Sequence, residues 1–132
     1  MSEPSIFTKI INGEIPCHKV YEDDKTIAFL DINPIQPGHT LVVPKVQVER
    51  FEDLDDETTA ALMKTVRRVM HKVIHELDVK QACLKVEGFR VPHTHVHVVP
   101  CNSEEDMQRV VDYSVDPNHD QLADIAATLR FS

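Results

Sequence analysis

The stretch V-P-H-T-H-V-H-V-V-P, residues 91–100, decides how this chain folds. His93, His95 and His97 alternate with β-branched residues, and a period of two is typical of a β-strand, whose successive side chains point to opposite faces. The pattern predicts a strand with all three imidazoles on one face, about 6.5–7 Å apart along the chain. The β-branched residues of the opposite face are predicted to pack on a core.

Two kinds of chemistry fit a row of three histidines. Neutral imidazole is a common ligand of zinc and copper, so the row could hold a metal ion. Alternatively, one histidine could act as a nucleophile in phosphate chemistry while its neighbours orient it and hold the anion. A solvated histidine run is disfavoured by the alternating valines. The motif by itself leaves metal and phosphate open.

Composition bounds the class of protein. With 132 residues, 42% hydrophobic and 27% charged, the chain is predicted to form a single soluble domain, residues 1–132. A formal net charge of −8 argues against binding to the backbone of a nucleic acid, which requires a basic face. Three separate cysteines without a C-x-x-C pair indicate reduced thiols. We see neither a signal peptide nor an apolar run long enough for a membrane, so we expect a cytoplasmic protein without a membrane partner.

The remaining pattern predicts an α+β fold. Apolar spacing and turn residues predict a long helix over 53–77 with a continuous apolar stripe, and a terminal helix over each of 4–12 and 120–129. Four further strands are predicted over 18–21, 26–32, 39–43 and 82–86, and 102–116 is predicted to be irregular. The short links favour a mostly antiparallel sheet of about five strands, with helices covering one face. His71 and His75 on the long helix are interpreted as solvated.

Several blocks occur in an order that resembles the HIT (histidine triad) superfamily. Residues 93–99 follow the pattern H-φ-H-φ-H-φ-φ, where φ is apolar, with Thr94 as the one polar φ. Further matching blocks are I-F-x-K-I-I-x-G-E-I-P at 6–16, A-F-L-D-I-N-P at 28–34 and P-G-H-T-L-V-V-P-K at 37–45. The resemblance covers about residues 5–100. It is greatest to the small nucleotide-binding branch usual in bacteria, related to nucleoside phosphoramidases and dinucleoside polyphosphate hydrolases.

This resemblance implies phosphate chemistry and no metal or cofactor. By position, His95 resembles the nucleophile that attacks the α-phosphorus and forms a nucleotidyl-histidine, which water then hydrolyses. His97 and His39, expected on neighbouring strands, would hold the phosphate oxygens, and His93 would support His95 from the same face. The implied partner is a purine nucleotide such as AMP or a nucleoside phosphoramidate. The implied assembly is a homodimer.

The resemblance also implies residues that bind the nucleoside. Asp31 stands where the family accepts hydrogen bonds from the ribose hydroxyls. Seven apolar residues match the positions that enclose the base, and four of them are the expected contacts: Phe7, Ile10, Ile15 and Ile32.

Two departures from the family pattern affect function. The glycine-rich loop before the triad is shortened to Glu87-Gly88-Phe89-Arg90, and Arg90 stands where a donor to the leaving group is usual. Arg90 could replace that donor with its guanidinium fork or be a solvated turn residue. Ser5 and Thr8 stand where some relatives have zinc-binding cysteines, so we expect no such zinc.

Three hypotheses follow for function. The first is a hydrolase or transferase that cleaves nucleoside 5′-phosphoramidates or related nucleotidyl compounds, such as dinucleoside polyphosphates, through His95. The second is a nucleotide-binding protein with little turnover, which the altered loop favours. The third is a histidine metal-binding site.

Overall fold

One antiparallel sheet of five strands organises the fold, in the order β1-β2-β3-β5-β4. The computed structural model describes residues 3–131. Its strands are β1 (Lys19–Glu22), β2 (Thr26–Leu30), β3 (Thr40–Pro44), β4 (Gln81–Val86) and β5 (Val96–Cys101). Its helices are α1 (Ile6–Ile11), a 3₁₀ helix (Phe51–Asp53), α2 (Asp56–Leu77), α3 (Glu104–Met107) and α4 (His119–Leu129). The predicted α+β class with a mostly antiparallel sheet is confirmed.

The long helix α2 covers one face of the sheet. Its apolar stripe consists of Leu62, Val66, Val69 and Val73, all at most 1% exposed, and it packs against the valines of β5 that face away from the histidines. Burying each such side chain contributes about 1.5–3 kcal/mol before the entropy of ordering it is counted. The helix begins at Asp56 because the side chain of Asp55 accepts the Thr58 N–H, three residues later than predicted.

Helices cover both faces of the sheet, and the expectation of helices on one face was wrong for α1. Phe7 of α1 packs on the face opposite α2, with its ring centroid 5.5 Å from that of Phe29 on β2. Every residue of β2 and β3 is buried, so neither strand has a solvated face. An apolar strand that is not amphipathic requires cover on both sides, and α1 supplies it.

The histidine segment is only partly a strand, which corrects the prediction for residues 91–100. Strand β5 begins at Val96, so His97 lies on it while His93 and His95 precede it. The backbone N–H and the hydroxyl of Thr94 both donate to the carbonyl of Val48, at 2.7 Å each. The pairing of β5 with β4 ends at Val86 and Val96. Residues 93–95 lie beyond that pair and are held by the segment that follows β3.

The last third of the chain has one element that was not predicted. The segment 102–116 contains the short helix α3, whereas it was predicted to be irregular throughout. Among residues 3–131, no helix combines the length and the apolar character needed to cross a membrane.

Candidate active site

Four imidazoles form a row along strands β3 and β5, from His39 just before β3 to His93 beside Pro44 at the end of that strand. His93, His39, His95 and His97 are 0%, 2%, 4% and 8% exposed. The ring centroid of His97 lies 5.1 Å from that of His39 and 5.0 Å from that of His95. The antiparallel register pairs Leu41 with His97, so His39, two residues before Leu41, lies on the same face as His97 and diagonal to it. The structure therefore brings together all four histidines singled out by the sequence.

A line of hydrogen bonds fixes the proton of His97. The backbone N–H of Ile35 donates to His39 Nδ1 at 3.0 Å, so neutral His39 carries its proton on Nε2. That Nε2–H donates to His97 Nδ1 at 2.9 Å, so neutral His97 in turn carries its proton on Nε2. We call Ile35, His39 and His97 the donor relay, because it ends in an N–H group. Tautomers are assigned here from the hydrogen-bond partners.

The donor relay is electrically neutral at pH 7. Burial is the main cause that lowers the pKa of His39 to about 3 and that of His97 to about 4, and neighbouring histidines and Lys85 add to it. His97 Nε2 is buried and has no hydrogen-bond partner among the described residues. Its nearest carboxylate oxygen is Glu87 Oε1, at 3.7 Å. A buried N–H without an acceptor is costly, so this atom is suited to a ligand oxygen.

A second set of hydrogen bonds gives His95 the opposite character. His95 Nδ1 lies 2.7 Å from the carbonyl oxygen of His93, which only accepts, so the proton of neutral His95 is on Nδ1. The lone pair is then on Nε2. The ring of His93 turns away, with Nε2 bound to the Pro44 carbonyl and Nδ1 bound to the Ser5 hydroxyl, each at 2.8 Å. We call Ser5, His93 and His95 the nucleophile relay.

His93 thus contacts His95 differently from the way we expected. The expectation was a ring that supports His95 from the same strand face. The contact is made instead by the main-chain carbonyl, because His93 precedes the strand and its ring is buried between α1 and the end of β3.

Asp31 lies beside the donor relay. Its Oδ2 is 3.7 Å from His39 Nε2, and its Oδ1 accepts the Asn33 N–H at 2.8 Å. Burial raises the pKa of Asp31, against the opposing effects of the Asn33 bond and nearby cations. One carboxylate oxygen is therefore tied to the backbone, and the other faces the imidazoles.

The four expected base-contact residues do not lie together in one site. Phe7 is 5% exposed and meets His95 edge to face, with ring centroids 5.0 Å apart, and Ile10 packs in the same cluster as Phe7. Ile15 is half-buried outside that cluster. Ile32 is 44% exposed and lines a cavity of about 250 Å³ on the side of His39 that faces α4. Of the four, Phe7 is the one in ring contact with a triad histidine.

A separate cleft of about 470 Å³ opens beside His95. It lies between the segment 49–52 and the shortened loop 86–89, and Thr94 and His95 line its inner wall. Phe89 lines this cleft and is 95% exposed. The guanidinium of Arg90 stacks 3.8 Å from the ring centroid of Tyr113, so Arg90 ties the loop to the segment that follows α3.

Sequence reasoning missed four residues of this region. Lys85 is paired with His97 in the β4–β5 register and therefore lies on the same face. Glu87 faces His97, as described above, and Ser5 and Gln47 lie behind His93. Counting outward through the β4–β5 hairpin could have found Lys85. The same count places Glu87 nearby, and the other two make contacts between distant segments, for which the sequence has no local signal.

Two groups of side chains have the spacing of metal ligands. The ligand atoms of Asp31, His39 and His97, and those of Glu87, His95 and His97, lie within 4.8 Å of one another. Both groups use His97, whose Nε2 faces the site and carries the proton in the relay. A metal would require this proton to move to Nδ1, where it would meet the N–H of His39. The hydrogen bonds therefore favour an anion over a cation.

Comparisons with known proteins agree with the architecture. The family model of the HIT domain matches residues 12–104. A HIT-like protein of Methanocaldococcus jannaschii is 44% identical over 100 residues, 72% of this chain and 77% of that protein. The adenosine 5′-monophosphoramidase of Schizosaccharomyces pombe is 38% identical over 101 residues, 76% of each chain. The crystal structure of a HIT-like protein from Bartonella henselae superposes with a TM-score of 0.83 at 31% identity, over 98% of this chain and 96% of that one.

Proposed function

This chain belongs to the HIT family, and from that premise we propose that it is a nucleotide hydrolase or transferase that acts through His95. Its substrates would be purine nucleoside 5′-phosphoramidates or related nucleotidyl compounds, such as dinucleoside polyphosphates. The observation that carries the proposal is the pairing of two adjacent rings, His95 with a lone pair on Nε2 and His97 with a proton on Nε2. A nucleophile beside a hydrogen-bond donor is what attack on a phosphate needs.

The reaction would proceed in two displacements. His95 Nε2 attacks the α-phosphorus, the P–N bond to the amine breaks, and the amine leaves with a proton from solvent. The ring, now cationic, keeps its Nδ1–H on the carbonyl of His93, which stabilises the positive charge. Water then attacks the phosphorus, the N–P bond to His95 breaks, and AMP or its analogue is released.

The other residues would bind and orient the nucleotide. His97 Nε2–H would donate to a phosphate oxygen, and a positioned donor of this kind contributes about 2.7–4 kcal/mol to the transition state. His39 would orient His97 rather than bind the phosphate, because both of its ring nitrogens are already bonded, and Asp31 would accept from the ribose hydroxyls. Phe7 is the best-supported base contact because its ring touches His95. The roles of Ile10, Ile15 and Ile32 have weaker support from their positions.

A homodimer is part of this proposal. Strand β4 is an edge of the sheet, and its Leu84 and Val86 are 40% and 50% exposed. An apolar edge strand is a common site for pairing with a second copy. Size-exclusion chromatography with light scattering tests this, and a mass of one chain at micromolar concentration would contradict it.

One observation favours nucleotide binding with little turnover as a second candidate. Glu87 in the shortened loop places a carboxylate 3.7 Å from the His97 nitrogen that would otherwise hold the phosphate. That carboxylate competes with the phosphate for the His97 Nε2–H, so the transition state loses part of its donor while contacts elsewhere would still bind the nucleotide. Tight AMP binding without product release would support this candidate.

The test is AMP release from adenosine 5′-phosphoramidate, with and without a chelator, together with a rapid quench at high pH to trap the covalent intermediate. We expect wild type and a His71→Ala control to release AMP and to gain the mass of one nucleotidyl group, and His95→Ala to do neither. His71 is an exposed residue of α2. Equal rates for wild type and His95→Ala would reject the proposal. Loss of activity with chelator would favour the metal hypothesis.

A further inference from the structure

A closed cluster of polar side chains lies behind His93. His93 is fully buried, and both of its ring nitrogens have partners: the Pro44 carbonyl at Nε2 and the Ser5 hydroxyl at Nδ1. Because the Pro44 carbonyl only accepts, the proton of neutral His93 is on Nε2, and Nδ1 must accept from Ser5. The cluster therefore determines the charge and the proton position of a ring that does not face the site.

Gln47 determines which way the Ser5 hydroxyl points. Gln47 Oε1 accepts both the Ser5 N–H, at 2.8 Å, and the Thr8 hydroxyl, at 2.6 Å. The Thr8 hydroxyl proton is thus used by Gln47, and the Ser5 oxygen accepts the Thr8 N–H at 3.0 Å. The Ser5 proton has two possible acceptors, His93 Nδ1 at 2.8 Å and Thr8 Oγ1 at 3.3 Å. The shorter bond to His93 is preferred.

The same cluster fixes the carbonyl that His95 uses. The His93 backbone N–H donates to Val91 O at 2.8 Å, and Thr94 is bound to Val48, which follows Gln47 directly. With both ring nitrogens and the flanking backbone held, the His93 carbonyl has one position, 2.7 Å from His95 Nδ1. A change at Ser5 or Gln47 therefore acts first on the ring of His93 and then, through the covalent structure of that residue, on the His93 carbonyl that binds His95.

We propose that Ser5 and Gln47 are positioning residues for His95: they hold His93 as a neutral ring protonated on Nε2, so that its carbonyl aligns the nucleophile. This inference rests on the proposed function for its catalytic consequence. Neither residue touches the cleft beside His95, so their effect on substrate binding is small.

Ser5 also caps α1, so the test must separate capping from positioning. Ser5→Asp keeps a cap that accepts the Thr8 N–H, but a carboxylate has no proton to give His93 Nδ1. Ser5→Thr keeps both functions, and Ser5→Ala removes both. Asp55→Ala is the matched control, because it removes the equivalent cap of α2 far from His93. Gln47→Leu removes the acceptor that directs the hydroxyls.

We expect Ser5→Asp to turn His93 into an imidazolium that donates from both nitrogens. A positive charge on His93 opposes the positive charge that His95 acquires when it attacks, because the two residues are linked through the His93 carbonyl. We expect kcat to fall about 10–100-fold, the range found for residues that orient an active group from behind, with KM changed less than about twofold. The kcat of Ser5→Asp should recover as pH rises and His93 loses its second proton, a step absent from the wild-type profile.

Nitrogen-15 NMR of the histidine rings gives a readout that needs no substrate. Wild type should show His93 protonated on Nε2 and His95 on Nδ1, Ser5→Thr should match it, and Ser5→Asp should show His93 protonated on both nitrogens. Asp55→Ala should lower the melting temperature and leave kcat and the ring signals unchanged. The inference is overturned if folded Ser5→Asp and Gln47→Leu keep wild-type kcat and wild-type ring signals. If wild type releases no AMP, the proposed function fails, and the ring signals still decide whether the relay exists.

Discussion

His95 and His97 lie two residues apart with their rings 5.0 Å from each other, yet the two relays give them opposite roles. The donor relay begins at a backbone N–H, that of Ile35, and ends in the Nε2–H of His97, which points to the site. The nucleophile relay ends at a backbone C=O, that of His93, and leaves a lone pair pointing to the site. The side chains are chemically the same. What differs is the group bonded to Nδ1, an N–H of the His39 ring for His97 and the backbone carbonyl of His93 for His95, and it decides which ring can donate and which can attack.

The strongest challenge to this comparison is the removal of the donor. His97→Ala takes away the unpaired Nε2–H while leaving His95 and its carbonyl partner in place. We expect kcat for AMP release to fall about 10²–10³-fold, the cost of losing one positioned donor to developing charge. Steady-state kinetics against a His75→Ala control, at an exposed site on α2, measures it. An effect on KM alone would mean that His97 binds the ground state and the transition state equally.

Removal of His39 breaks the donor relay one step before His97. In His39→Ala, nothing holds the proton of His97 on Nε2, so both tautomers become populated and part of the protein loses its donor. We expect kcat to fall about tenfold, less than for His97→Ala. The freed Nε2 lone pair should also raise the affinity for Zn²⁺, measured by calorimetry, because Glu87, His95 and His97 have ligand spacing. Unchanged Zn²⁺ affinity would contradict the tautomer assignment.

The neutral donor relay should also make stability depend on pH. The folded-state pKa values of His39 and His97, about 3 and about 4, lie below the ordinary value of 6.5 expected in the unfolded chain. The unfolded state therefore binds more protons between about pH 4 and 6.5, and stability is lost as pH falls through that window. Each group contributes at most about 1.4 kcal/mol per pH unit. Urea unfolding at pH 7 and pH 5 measures the loss of unfolding free energy. His39→Asn should make the difference between the two pH values smaller, and His75→Ala should leave it unchanged.

The smallest expected effect concerns charge around the donor relay. Lys85 lies opposite His97 on β4 and helps to lower the pKa of both relay histidines. Lys85→Met should raise KM for the anionic substrate about two- to fivefold at low salt, and the difference should shrink at high salt because exposed charges are screened. Lys64→Met, on the exposed side of α2, is the control. A salt-independent difference would indicate packing rather than charge.

The sequence predicted the fold class and which four imidazoles lie close together, but not the hydrogen bonds between them. Period-two and helical patterns predicted the strands and α2, and the blocks around His39 and His93–His97 predicted which imidazoles meet. The pattern H-x-H-x-H also predicted a continuous strand, and this was wrong at His93 and His95, because Thr94 bonds to Val48 instead of a neighbouring strand. Helices were predicted on one face of the sheet only. Helix α1 lies on the other face, because β2 and β3 are buried on both sides and need cover there.

Proton positions were beyond sequence reasoning for a physical reason. They depend on which hydrogen-bonding group meets Nδ1 of each ring. The paths of the segments 33–39 and 91–95 fix that group, and residue type does not. Contacts of Ser5 and Gln47 join segments distant in sequence, and such contacts leave no periodic signal. Lys85 was the exception, since hairpin register alone places it beside His97.

The bond between Ser5 and His93 joins residues 88 positions apart, and this separation has a consequence for the newborn protein. During synthesis, α1 leaves the ribosome long before the histidine segment has been made, so Ser5 cannot yet bond to His93. The nucleophile becomes aligned only after Cys101 has emerged and the hairpin of β4 and β5 has closed. Chains that stop before β5 should therefore be inert, and the appearance of activity in a translation reaction would report that β5 has been synthesised.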